Sequence, residues 1–185
     1  MKIKLFDYFI FSILITFIIS GCSEEEKSVN PPSGNALINS SFEKNGQPSS
    51  DGWTIPSGSK YSSDVPPGGG SYSLELESNQ PPEIYAEIMV PVLTQFNNYK
   101  LSFWSKSSGV TSGIYGKAIL SLLRNGSEVK SISMTLDNIV WSSNTLADTF
   151  SVALGDSFAV KLSGGVSQIL PGKTQFDLCI LEAVE

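Results

Sequence analysis

The chain has 185 residues, 12 basic and 18 acidic side chains, a formal charge of −6, no histidine and two cysteines. That length suits one domain, and a scattered, acid-dominated charge leaves no footprint for a phosphate backbone, so nucleic-acid binding is excluded. Without histidine there is no Ser-His-Asp or Cys-His catalysis and no histidine-based metal centre; Cys22 and Cys179 alone build neither a disulfide framework nor a thiolate cluster.

In chain order, Lys2 and Lys4 precede an apolar run from Tyr8 to Ile19. The run is shorter than the ~20 residues of a spanning helix and suits a signal-peptide core. It ends in Ile19-Ser20-Gly21-Cys22, which resembles a bacterial lipobox. Residues 1–21 are therefore expected to be a lipoprotein signal peptide, with Cys22 as the lipidated residue. The acidic run Ser23-Glu24-Glu25-Glu26-Lys27 resembles the surface-export signal of Bacteroidota lipoproteins. The expected location is the outer membrane, lipid-anchored and exposed at the cell surface. Residues 22–34, acidic and then rich in Pro and Gly, read as a tether to a domain over 35–185.

The domain alternates with period two. Tyr72-Leu74-Leu76, Ile84-Ala86-Ile88-Val90 and Leu101-Phe103 each form the apolar half of a strand pattern. Asn125-Gly126, between Gly116–Leu123 and Glu128–Met134, predicts a type I′ hairpin. Further strands are expected at Ala36–Phe42, Val140–Phe150, Phe158–Ser163 and Gln175–Glu182. Pro66-Pro67-Gly68-Gly69-Gly70 reads as a loop. No helical stripe stands out, so the expected fold class is all-β, a two-sheet antiparallel β-sandwich of jelly-roll type with eight to ten strands.

Four segments carry a resemblance. Asn35-Ala36-Leu37-Ile38-Asn39-Ser40-Ser41-Phe42-Glu43 with Gly52-Trp53 is similar to the opening of jelly-roll carbohydrate-binding modules of the galactose-binding-domain-like superfamily. Gly70-Ser71-Tyr72-Ser73-Leu74-Glu75-Leu76, Tyr99–Lys106 and Phe176–Leu181 resemble its later strands. The resemblance implies a structural calcium held between the terminal strands, with Glu43 and Asp177 at the ligand positions. Calcium takes several oxygen ligands from carboxylates and loop carbonyls. Leu178 stands where many members carry a second aspartate.

The alternation also predicts a binding face. If the apolar sets point inward, Tyr85, Glu87, Met89, Ser102, Trp104 and Lys106 are expected on one opposite sheet surface, with Tyr115 in the following loop. Aromatic rings stack on the C–H faces of sugars while Glu and Lys bind hydroxyls, so Tyr85, Glu87, Trp104, Lys106 and Tyr115 are the candidate glycan-binding residues. Trp53 and Trp141 read as core or sandwich-edge residues, and Cys179 as a small buried one. Glu75 and Glu77 share a strand face but lack the opposed arrangement of glycosidase acids. The expectation is a monomeric, non-catalytic, lipid-anchored cell-surface domain that binds a polysaccharide or cell-surface glycan and touches the membrane only through its anchor. The competing reading is a structural or adhesive surface lipoprotein of the same fold without a sugar site.

Overall fold

The computed structural model describes residues 34–78, 82–92, 96–109, 116–166 and 172–184. Cys22 and Tyr115 lie outside them. Eleven strands are present and no helix is found among the described residues: β1 (Glu43–Lys44), β2 (Gln47–Pro48), β3 (Lys60–Ser62), β4 (Ser73–Glu77), β5 (Ala86–Pro91), β6 (Asn98–Ser108), β7 (Gly116–Arg124), β8 (Ser127–Leu136), β9 (Ser142–Thr149), β10 (Ser157–Ser163) and β11 (Lys173–Val184). Two antiparallel sheets face each other. One runs β5-β10-β7-β8 and the other β3-β4-β11-β6-β9, while β1 and β2 form a small hairpin.

Period-two patterning produces the sandwich directly. Ala86, Ile88 and Val90 of β5, Leu120 and Leu122 of β7, and Phe158, Val160 and Leu162 of β10 are buried on the inner face of the four-stranded sheet. Leu74, Leu101, Phe103, Phe176 and Leu181 supply the other inner face. Their burial drives folding, at roughly 1.5–3 kcal/mol for each large side chain. Tyr99, Phe150 and Phe158 meet edge-on or tilted within this core, with Phe158 4.4 Å from Tyr99 and 4.9 Å from Phe150 between ring centroids. Trp53 is buried against Phe42, at 5.0 Å, and Cys179 is buried, both as expected.

Asn125 and Gly126 have φ of 51° and 77°, the positive pair of a type I′ turn, and they join β7 to β8 as expected. Asn45-Gly46 repeats the device between β1 and β2, with φ of 54° and 70°. That short hairpin has no apolar alternation to announce it.

Ala36–Phe42 is not a strand, contrary to expectation. Asn39 and Phe42 adopt positive φ, which interrupts any extended run. The segment nonetheless caps the sheet. The Ala36 N–H donates to the Leu181 carbonyl, the Cys179 N–H donates to the Ser40 carbonyl, and the Asn35 amide clasps Cys179 O and Leu181 N. β4 pairs only with the first half of β11, through Phe176, so these bonds satisfy polar backbone that β4 leaves uncovered.

Candidate functional site

Inward residues alternate with outward ones, so each sheet has an outer face whose members follow from register. On the four-stranded sheet, Glu87 pairs with Lys161, Lys161 with Ile119, and Ile119 with Ser133. The next outward row is Met89, Ala159, Ser121 and Ser131. Ala159, Ser121 and Ser163 point outward yet have no exposed surface, because short side chains lie below their longer neighbours. The face thus has a low centre and taller rims, with Met89 exposed on one side and Glu128 on the other.

Tyr85 stands at one end of this face. Its hydroxyl donates to Glu83 at 2.6 Å, and Glu83 reaches towards Lys117 of β7 at 3.5 Å. Burial, reinforced by the Glu83 carboxylate, pushes the Tyr85 phenol up to about 12. It stays a neutral hydrogen-bonding group at every physiological pH. Glu87 and Lys161 lie 3.7 Å apart. Both charge pairs are longer than a normal N–H···O hydrogen bond, so Lys117, Lys161 and Glu87 keep capacity for a third party, whereas Glu83 Oε2 is already engaged by the Tyr85 hydroxyl. On the far rim the Glu128 carboxylate accepts from Ser121 and Ser131, each at 2.8 Å, and these bonds hold it below the usual carboxylate range.

The outer face of the five-stranded sheet is chemically different. Trp104 of β6 sits between Asp177 of β11 and Ser143 of β9, and Lys106 pairs in register with Gln175. Asp64, from the loop after β3, crosses this face. Its carboxylate accepts from Lys106 and from the Trp141 indole N–H (2.8 Å), and its backbone carbonyl accepts from Ser73 Oγ at 2.7 Å. Those side-chain bonds, from Lys106 first and Trp141 second, hold the Asp64 carboxyl below its ordinary range. The other lysines of this face are paired tightly: Lys60 with Glu77 at 2.6 Å, Lys173 with Glu75 at 2.9 Å and Lys100 with Glu182 at 2.7 Å.

The single aromatic face expected from the sequence is therefore two faces. Tyr85 and Glu87 belong to the four-stranded sheet and Trp104 and Lys106 to the five-stranded one. The chain crosses between sheets after β5, so consecutive strands are not neighbours. Trp141 takes the sandwich-edge place among the two expected of it: it is half-buried on the outer five-stranded face, directly before the edge strand β9, and tied to Asp64. Glu75 and Glu77 are each engaged by a lysine.

The Glu43 and Asp177 carboxylates lie against two adjacent glycines, Gly70 and Gly69. One Glu43 oxygen accepts from the Ser71 N–H (2.6 Å) and the Tyr72 N–H (3.1 Å). Asp177 accepts from the Leu178 N–H at 2.7 Å through Oδ1, while its Oδ2 is buried without a hydrogen-bond partner. Both acids lie against the Gly69-Gly70 backbone: a Cβ on Gly69 would meet Asp177 Oδ2, and one on Gly70 would overlap Glu43. Burial first, and the Glu43 charge in addition, push the Asp177 carboxyl up to about 7. Among the described residues no cluster of three or more His, Cys, Asp or Glu side chains is present. A cation here would need backbone carbonyls to complete its shell. The orphaned buried oxygen, the second carboxylate and the glycine cradle fit a hard, oxygen-seeking cation such as calcium.

With this geometry in hand, the chain can be set beside known proteins. No family model matches it, and no curated protein does. Solved structures do. A family 61 carbohydrate-binding module in complex with β-1,4-galactotriose (TmCBM61) superposes with a TM-score of 0.56 at 17% identity, over 82% of this chain and all of that one. A family 16 carbohydrate-binding module gives 0.53 at 20% identity, over 82% of this chain and all of the other. The first family 22 xylan-binding domain of Paenibacillus barcinonensis Xyn10C gives 0.55 at 16% identity, over 82% and 96% of the two chains. The fold is that of carbohydrate-binding modules. The jelly-roll sandwich expected from the sequence is the one observed.

Proposed function

We propose that this protein is a non-catalytic glycan-binding domain that holds a polysaccharide on the outer face of its four-stranded sheet. One observation carries the reading. Tyr85 stands there beside two acid–lysine pairs, Glu83–Lys117 and Glu87–Lys161, separated by 3.5 and 3.7 Å. An aromatic ring can stack on a pyranose, and the loosely paired Lys117, Glu87 and Lys161 can bind its hydroxyls without first breaking good hydrogen bonds, while Glu83 holds the Tyr85 hydroxyl in place. The low centre of small side chains leaves room for the sugar. The five-stranded face, with its lysines tightly paired, offers far less unspent polar capacity. Carbohydrate-binding modules of the same fold support the reading, and the lysine partners of Glu75 and Glu77 support a non-catalytic role.

The setting we propose is a surface-exposed outer-membrane lipoprotein anchored through acylated Cys22, with residues 22–34 as its tether. Two or more acyl chains suffice for stable anchoring. Glu43 and Asp177 would hold a structural calcium, which when bound neutralises the buried Asp177 carboxylate together with the partly exposed Glu43 and clips the N-terminal segment to β11.

Affinity gel electrophoresis against a panel of soluble polysaccharides tests the binding. Retardation by at least one glycan, lost in Tyr85→Ala with an unchanged unfolding midpoint, is the expected result. No retardation by any glycan in the panel would leave the structural-lipoprotein reading standing.

A further inference from the structure

A cavity of about 180 Å³ opens beside the Tyr85 end of the four-stranded face, and neither the sequence patterning nor the sheet register accounts for it. It lies between the Pro56–Ser59 turn and the end of β4, with Ile84 and Gly164 on the other side. Two chain connections link it to the proposed glycan face. Ile84 lies between Glu83 and Tyr85 in the chain. Gly164 follows Ser163, which occupies the row between Tyr85 and Lys117.

The chemistry of the wall is mixed. Leu76, Pro56 and Ile84 give apolar surface, and Ile84 is 43% exposed where nothing else covers it. Ser59 Oγ donates to the Pro56 carbonyl and keeps its acceptor lone pairs. Ser78 Oγ accepts from the Gly172 N–H and keeps its hydroxyl proton to donate. Glu77 spends one carboxylate oxygen on Lys60, leaving the other. Such a set offers both donors and acceptors around an apolar patch, which suits a polyhydroxylated ring and suits neither a hydrocarbon nor a fixed charge.

Size and closure narrow the ligand further. The volume equals roughly six waters, enough for one sugar ring. Leu76 is buried and Gly164 is packed so closely that a Cβ there would overlap the Leu76 carbonyl, so the back of the cavity is shut. A chain cannot continue through that wall. We propose that this cavity receives a single terminal sugar residue of the glycan held on the Tyr85 face, supplied by the tip of a branch or by the end of the main chain. This inference rests on the glycan-binding reading of that face.

The test compares matched ligands by isothermal titration: galactomannan against unbranched mannan, arabinoxylan against unbranched xylan, and a short oligosaccharide of whichever backbone binds. Wild type, Tyr85→Ala and the pocket-filling Ile84→Trp are measured, with Glu77→Gln as a second variant that leaves the pocket's size unchanged. Wild type is expected to prefer the branched polymer, or on a molar basis the short oligosaccharide, by ten-fold or more over the long unbranched chain. The first preference identifies branch tips and the second identifies chain ends. Ile84→Trp should erase the preference while keeping binding of the unbranched chain, Glu77→Gln should reduce it several-fold, and Tyr85→Ala should weaken every ligand. Equal affinity for branched, short and unbranched ligands, unchanged by Ile84→Trp, would overturn the pocket while leaving the Tyr85 face intact. Failure of all ligands to bind wild type would overturn both.

Discussion

The two outer faces of the sandwich are built from the same strand alternation and carry similar residue types, yet they are suited to different work. On the five-stranded face, Lys60, Lys100, Lys106 and Lys173 are each joined to a carboxylate, and Asp64 straps a loop across Lys106 and Trp141. On the four-stranded face the pairs Glu83–Lys117 and Glu87–Lys161 stand apart, and Tyr85 flanks a floor of Ala159, Ser121 and Ser163. Polar groups that are already well bonded gain little from a ligand, because each new bond must replace an existing one. The difference between structural and binding faces therefore lies in how completely hydrogen bonds are spent, more than in which residues are present.

Trp104→Ala should give the largest stability effect, because the residue is half-buried between β11 and β9. A loss of about 2–3 kcal/mol is expected, below the ~3–5 kcal/mol typical of a fully buried aromatic, with glycan binding retained. Denaturant midpoints read at constant m-value measure it. Loss of binding with unchanged stability would reverse the assignment of the two faces.

Calcium gives the next effect. At one hundred times its dissociation constant, a ligand bound only by the folded state stabilises by about 2.7 kcal/mol, so chelation should lower the melting temperature. Asp177→Asn should abolish that response. In chelator, Asp177→Asn should also be more stable than wild type near neutral pH. The wild-type carboxyl, raised to about 7 by burial and by Glu43, favours the folded state fully only below its unfolded value near 4, and this contribution is lost as pH rises through about 7. A melting curve indifferent to both chelator and Asp177→Asn would remove calcium from the account and leave the five-stranded face without its clip.

The smallest effects sharpen the contrast. Lys106→Ala removes a partly exposed ion pair and should change stability by less than about 1 kcal/mol and binding not at all. Lys161→Ala, on the other face, should leave stability alone and weaken glycan binding several-fold in the same titration. Equal effects of the two substitutions on binding would erase the distinction.

Much of this was legible in the sequence, within a definable limit. Period-two alternation located β4, β5 and β6 and correctly sent Ala86, Ile88, Leu101 and Phe103 inward, because burial on one face imposes that period. Asn125-Gly126 marked its hairpin because few residues tolerate consecutive positive φ. Alternation says in or out, but not which of two sheets a strand joins, so Trp104 and Tyr85 were expected together although the chain changes sheets between them. The Asp64–Trp141 bond joins residues 77 positions apart and leaves no local signal. Ala36–Phe42 looked extended by its apolar residues, yet it hydrogen-bonds to β11 through a path bent at Asn39 and Phe42. Glu43 and Asp177 were found through the family resemblance, and the glycine cradle that joins them became visible only in three dimensions.

Backbone amide and indole N–H shifts of the protein, followed by nuclear magnetic resonance as a bound polysaccharide's oligosaccharide is titrated in, test the central claim most directly. The account predicts that shifts concentrate at Tyr85, Glu87, Lys161 and Lys117, while the Trp104 and Trp141 indole signals stay in place. Movement of those two indoles, with the β5, β10 and β7 amides unmoved, would contradict it.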